Sequence, residues 1–343
     1  MRERSERNGK ELILLKKTDS ITKAPLEMFT AADVEPKEVS WLWYPYIPFG
    51  KVTMLQGESG EGKSMFALNL AALLTRGDPL PFAADHHEPM KVIYLNSEDD
   101  ADDTIVPRFI KANGVRENLF FISEHEKRLS FSDERINESI RMTGARAMII
   151  DPLASYFGPD VSMNLANEVR PRFESLIKAG RSNDCAIIVV SHLNKAEGMN
   201  AKNRSNGSVD IIAAPRSMLV IGKPHDDENP DHRIMAHGKC NIAPLGSSIL
   251  FSVGDGVVEF IDTVDITADQ LVKAVGSGKL RETKQAAACR ELQTLLASGS
   301  VPQKEIIARM NELGISQRTC ELAKATLPIE TIRVNGHSEW RLA

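Results

Sequence analysis

From Gly50 to about residue 265, short apolar runs alternate with longer segments whose apolar residues recur every three or four positions. The short runs are KVTMLQ, KVIYLN, LFFIS, AMIID, AIIVVSH, SMLVIGK, RIMAHGK and SILFSV. They are bounded by turn residues and rich in β-branched side chains, so they predict strands. Between the early ones lie KSMFALNLAALLTRG, DTIVPRFIKANG and NEVRPRFESLIKAG, which carry helical periodicity. Near-continuous apolar strands alternating with helices predict an α/β domain with a parallel sheet covered on both faces. Beyond about Ser217 the helical patterns stop and strand follows strand, so the sheet is expected to finish in antiparallel hairpins.

The ends of the chain read differently. Residues 1–40 are polar, charged and aperiodic, and are expected to be a partly disordered lead-in. WLWYPYIPFG follows; its prolines forbid a helix or a central strand, so its aromatics are expected to clamp the chain against the next domain. Stacking of one of them on a nucleotide base is the alternative. Residues 266–283 contain Gly and Ser and read as a linker after the domain at 41–265. Residues 284–343 read as three helices and a hairpin. AAACRELQTLLASG comes first, then PQKEIIARMNELG with Pro302 at its start and Gly314 at its end. Ser316 caps SQRTCELAKATL, and IETIRVNGHSEWRLA turns at Asn335 and Gly336.

Composition narrows the class. Of 343 residues, 42% are hydrophobic and 26% charged, which fits a globular protein. The net charge of −5 excludes coating of nucleic acid by bulk charge, so any such contact is local. Cys185, Cys240, Cys289 and Cys320 show neither CxxC nor metal spacing and read as reduced thiols. No apolar run suits a signal peptide or a membrane span, so the expected location is the cytoplasm, away from membranes.

The chemistry is concentrated at strand ends. GESGEGKS supplies Gly57, Glu58, Ser59, Gly60, Glu61, Gly62, Lys63 and Ser64 between a strand and a helix. Its glycines let backbone N–H groups converge on phosphate oxygens, and the helix N-terminus adds its dipole. Lys63 would reach the terminal phosphates of ATP, and the Ser64 hydroxyl would ligate Mg²⁺. A second metal carboxylate is expected at the end of a buried strand, and AMIID offers Asp151. Pro152 follows it where many ATPases carry a glutamate, so the water-activating base is sought elsewhere. KVIYLN runs into Ser97-Glu98-Asp99-Asp100, making Glu98 the candidate base; the alternative is that these acids cap the next helix. His192, closing AIIVVSH, is placed to sense the γ-phosphate or the attacking water, or else serves as a structural hydrogen-bonder.

The ordered set GESGEGKS, YLNSEDD, MIIDP, VVSHLNK and KCNIAPLG resembles RecA-like ATPases, and is similar more closely to the RepA-type hexameric replicative helicases of mobile elements. WLWYPYIPFGK resembles the segment before the P-loop in that family. The resemblance covers roughly residues 40–260. It implies a homo-oligomer, a hexameric ring with ATP between subunits, and Glu98 as base. It places Arg216 where family members carry an arginine finger and Lys239 at a second cationic position; the alternative for Arg216 is a surface ion pair. Asn241 stands where the related DnaB-type pattern often carries an arginine. It also implies that the loop carrying Lys195, Lys202 and Arg204 faces a central channel and grips single-stranded DNA, a mobile surface loop being the alternative. The last segment resembles a winged helix-turn-helix. Its outward side would present Gln317, Arg318 and Lys324, with Arg333 and His337 on the wing. Nine basic against seven acidic residues from 281 to 343 make it only mildly basic, which leaves DNA and protein docking both open. The implied function is an ATP-hydrolysing DNA motor serving replication of a plasmid, phage or other mobile element. An ATP-switched DNA-binding regulator or recombination mediator is the alternative.

Overall fold

The computed structural model describes residues 30–83, 86–158, 161–163, 165–193, 209–224, 227–272, 284–297, 299–334 and 337–342. Two compact units are present, Met1–Glu38 and Val39–Ala343. In the first, the turn Ala31–Asp33 is closed by Thr30 N–H donating to the Asp33 carboxylate at 2.8 Å. The second begins with a small hairpin of β1 (Trp41–Trp43) and β2 (Ile47–Pro48).

The parallel strands are β3 (Val52–Gly57), β4 (Val92–Asn96), β5 (Leu119–Phe120), β6 (Ala147–Asp151), β7 (Ala186–His192) and β8 (Ser217–Gly222). Antiparallel β9 (His232–Cys240), β10 (Ser248–Gly254) and β11 (Val257–Val264) extend them. Among the described residues these nine make one sheet, in the order β11-β10-β9-β8-β3-β7-β6-β4-β5. This is a RecA-like P-loop core.

Period-two alternation sorts each strand between two cores. Met54, Ile150 and Val189 join Ile136 and Ile140 of the helix Glu134–Thr143, and Phe173 and Leu176 of the helix Ala166–Ser182. Leu55, Ile149 and Ile188 face the other way, toward Phe66 and Leu70 of Lys63–Arg76 and Phe109 of Val106–Lys111. Trp43 and Ile47 bury on that second face, with the Trp43 and Phe66 rings 6.5 Å apart.

β11 has no counterpart among the apolar runs of the sequence. Its outward Glu259 and Asp262 interrupt the pattern, as an edge strand with one solvated face permits. No helix among the described residues is long and apolar enough to cross a membrane.

The last segment contains the helix Lys284–Leu296, β12 (Val301–Pro302), the helices Gln303–Glu312 and Gln317–Ala325, then β13 (Ile329–Val334) and β14 (His337–Leu342). The strands pair in the order β12-β14-β13. Ala288, Leu292, Ile306, Met310, Cys320 and Trp340 form a core of their own. Pro302 pairs with Glu339 before the second helix begins, so the helix opens one residue later than its proline suggests. Ser316 caps the third helix by accepting from Thr319 N–H at 3.2 Å. The expected Asn335–Gly336 turn, and 273–283 of the linker, lie outside the described residues.

One buried polar cluster ties the β1–β2 hairpin to the sheet. His237 Nδ1 accepts the Gly246 N–H at 2.9 Å, which leaves the ring proton on Nε2, 3.0 Å from Ser217 Oγ. Ser217 donates in turn to the Tyr46 carbonyl at 2.6 Å, and Tyr46 Oη to Ser247 O at 2.7 Å. Burial lowers the His237 pKa to about 4, a backbone hydrogen bond with Lys239 opposing. An unfolded histidine titrates near 6.5, so the unfolded chain binds the extra proton between those values. Stability is therefore full above about pH 6.5 and is lost as pH falls toward 4, by about 3 kcal/mol from this residue. Urea melts across that window should show His237→Asn with a pH slope shallower than the wild type by about one proton. Equal slopes would remove His237 as the source.

Candidate active site

Four adjacent strands, β4, β6, β7 and β3, deliver their C-terminal ends to one edge of the sheet, where ligands of parallel α/β sheets collect. The registers align Asn96 with Asp151 and Gly57 with His192. Sequence-predicted groups from separate stretches of the chain, the phosphate loop after β3, Glu98 after β4, Asp151 on β6 and His192 on β7, therefore meet there.

At the head of β3, Gly57 lies against β8, and an added Cβ would come within 2.3 Å of the Ile221 carbonyl. Only glycine fits. Gly60 and Gly62 take left-handed φ values of 82° and 81°, turning the loop back into the helix Lys63–Arg76. Lys63 Nζ donates to Glu58 O at 2.7 Å and to His192 Nδ1 at 3.2 Å. Burial lowers the Lys63 pKa, while Asp151, Glu61, Glu98 and Glu58 pull it back up. His192 is lowered by burial and by the Lys63 charge, so its ring is neutral and accepts from the ammonium.

Asp151 is 3% exposed. Tyr94 Oη donates to its Oδ2 at 3.1 Å, and Ser64 hydrogen-bonds the same carboxylate. Burial raises its pKa, with those two hydrogen bonds opposing. A buried carboxylate beside a hydroxyl suits a hard divalent cation, which would offset the burial. Among the described residues no cluster of three or more His, Cys, Asp or Glu side chains is assembled for a metal. A cation bound with phosphate oxygens and water needs only Ser64 and Asp151 from the protein.

Asn96 Oδ1 accepts the N–H groups of Glu98 and Asp99, both at 2.8 Å, and turns the chain out of β4. The exposed Glu98 carboxylate is close enough to Lys63, Asp151 and His192 to bias the titration of all three. Of its neighbours, Asp99 pairs with Arg108 at 3.3 Å, and Asp100 precedes a π-helical turn, Ala101–Ile105, without a side-chain capping bond.

Other expected residues fall elsewhere. Arg216 is exposed at the start of β8, its N–H bonded to Val52 O at 2.9 Å. That is the opposite sheet edge from Gly57, about 17 Å away at 3.3 Å per residue. Lys239 lies at the same edge, near the end of β9, and donates to the carbonyls of Ile212, Ala213 and Pro215 at 2.8, 3.3 and 2.9 Å. Asn241 is bonded there through its N–H to Arg216 O at 3.0 Å. Lys195, Lys202 and Arg204 lie outside the described residues. In the last segment Arg318, Arg333 and His337 are exposed, and Gln317 bonds Glu321 at 3.0 Å. Lys324 departs from the outward expectation: its ammonium lies 4.3 Å from the Trp340 ring centroid and bonds the Thr331 hydroxyl. An ammonium on a four-carbon stem finds more there than in water, because the ring face attracts the cation.

Tyr94 and Arg233 were missed by motif reasoning. Each left a trace in the sequence as a polar-tipped residue inside an apolar strand. Arg233 reaches Glu61 of the phosphate loop, 3.1 Å from Nε to Oε2.

A family model described as an AAA domain matches residues 19–198. It spans the P-loop, Glu98, Asp151 and His192 together. None of the curated proteins matches the sequence.

Proposed function

Because the chain belongs to the AAA domain family, a family of nucleotide-hydrolysing P-loop ATPases, we propose that it hydrolyses ATP to drive movement on DNA, as a homo-oligomer resembling RepA-type replicative helicases. The reaction is in-line attack of water on the γ-phosphate. Lys63 stabilises charge on the phosphates, Glu98 orients and deprotonates the water, and His192 registers the phosphate through Lys63. Mg²⁺ held by Ser64 and Asp151 would supply further neutralisation of phosphate charge.

The observation that carries the DNA role is the connectivity of the last segment. Helix, strand, helix, helix, strand, strand, with sheet order β12-β14-β13, supports reading the segment as a winged helix. Its exposed Arg318 and Arg333 suit a phosphate backbone. Arg216 at the edge remote from its own P-loop supports ATP sites completed by a neighbouring copy in a ring. The cytoplasm is the compartment such a replication motor serves.

Strand displacement on a tailed duplex separates the motor from an ATP-switched regulator. A motor releases the strand only with hydrolysable ATP, whereas a switch binds DNA in an ATP-dependent way and releases nothing. The winged-helix assignment has its own test. Removing residues 281–343 should leave basal hydrolysis intact, because every proposed catalytic residue lies before Asn241. Anisotropy with labelled duplex should show affinity falling sharply, Arg318→Ala reproducing part of the loss, and full-length binding weakening with salt. Leu322, 52% exposed on the same helix as Arg318, favours a protein partner as the second reading. Equal duplex affinity with and without residues 281–343 would select it.

A further inference from the structure

We infer that Arg233 is a positioning residue of the phosphate loop, neutralising Glu61 so that the loop can accept a polyphosphate. This rests on the P-loop reading of residues 57–64. Glu61 is an awkward residue there. It lies between the two left-handed glycines, in the turn whose N–H groups are to hold anions. Its carboxylate is near enough to Lys63 to raise that residue's pKa, and would repel incoming phosphates by the same field. The glutamate side chain is only 15% exposed and water screens it little.

Arg233 meets this charge from β9. Its side chain is 10% exposed and its Nε lies 3.1 Å from Glu61 Oε2, close enough for an ion pair though not aligned as a hydrogen bond. Nη1 donates to the carbonyls of Pro230 and His232, both at 2.7 Å, so the guanidinium is fixed before any ligand arrives. β10 presses on the same turn, since a Cβ on Gly62 would come within 3.2 Å of Val253 Cγ2. The antiparallel extension thus holds the phosphate loop in shape, and Arg233 supplies the charge. A largely buried glutamate that loses the guanidinium paired with it is costly, and the cost rises when phosphate binds beside it.

The test uses the full-length protein, a fluorescent ATP analogue for Kd and steady-state kinetics for KM and kcat. Arg233→Met should raise Kd and KM at least about tenfold with kcat within about twofold, the pattern of lost uniform binding. Arg233→Lys should restore most of the affinity. Glu61→Gln should bind at least as tightly as the wild type, and Glu61→Gln with Arg233→Met should recover most of what Arg233→Met loses. A purely structural arginine would leave the double variant as weak as the single one, and that result would overturn the inference. So would weaker binding by Glu61→Gln, which stands as a test even where Arg233→Met does not fold. A wild type that binds no nucleotide would instead strike the P-loop reading itself.

Discussion

Lys63→Ala should hydrolyse ATP at least about 10²–10³-fold more slowly than the wild type, the scale of losing one preorganised charge-stabilising donor. Lys63 is 4% exposed and its ammonium is already drawn toward Glu58 O and His192, so it is positioned before the reaction rather than recruited during it. Removing it deletes the one cation that the loop itself offers to the terminal phosphates. It also leaves His192 without the ammonium that its Nδ1 meets at 3.2 Å. Lys63 opens its helix and is followed by thirteen further helical residues, whose apolar face is packed independently of it, so the fold should survive. Phosphate release measured beside a thermal melt checks both halves. Near-wild-type turnover in a folded variant would end the P-loop assignment.

Glu98→Gln should bind ATP as the wild type does and turn over at least about 10²-fold more slowly, the usual effect of losing a general base. The substitution keeps size and shape, and Glu98 is exposed at the end of β4, so nothing in the core is disturbed. The Asn96 turn that aims the residue uses the backbone N–H of Glu98, which the variant retains. Binding unchanged with turnover lost is the signature of a group acting on water in the transition state. Normal turnover would pass the role to another carboxylate. Asp99 would be the next candidate, though its pairing with Arg108 holds it away from that task.

The sheet was legible in the sequence wherever a strand is buried on both faces. AMIID and AIIVVSH are unbroken apolar runs because helices cover them above and below. β11 was illegible for the opposite reason: one face is solvated, and Glu259 and Asp262 dilute the pattern below recognition. Motif spacing brought out Lys63, Ser64, Asp151, Glu98 and His192 because each ends or follows a buried strand, and parallel strands deliver their ends to one place. Tyr94 and Arg233 escaped because their partners, Asp151 and Glu61, are 57 and 172 positions away, and no local rule reports such a pairing. Lys324 was misplaced for a related reason. Helical spacing puts it near the outer face, but a long flexible stem follows the nearest aromatic ring, and Trp340 comes from the last strand.

The central claim is that hydrolysis at this site is coupled to DNA. Steady-state ATP turnover by the full-length protein, with and without saturating single-stranded DNA, tests it most directly. A motor should turn over several-fold faster with DNA present, and Lys63→Ala should show neither the basal nor the stimulated rate. An identical rate with and without DNA, in a protein that hydrolyses ATP through Lys63, would contradict the account and leave a P-loop ATPase whose energy goes elsewhere.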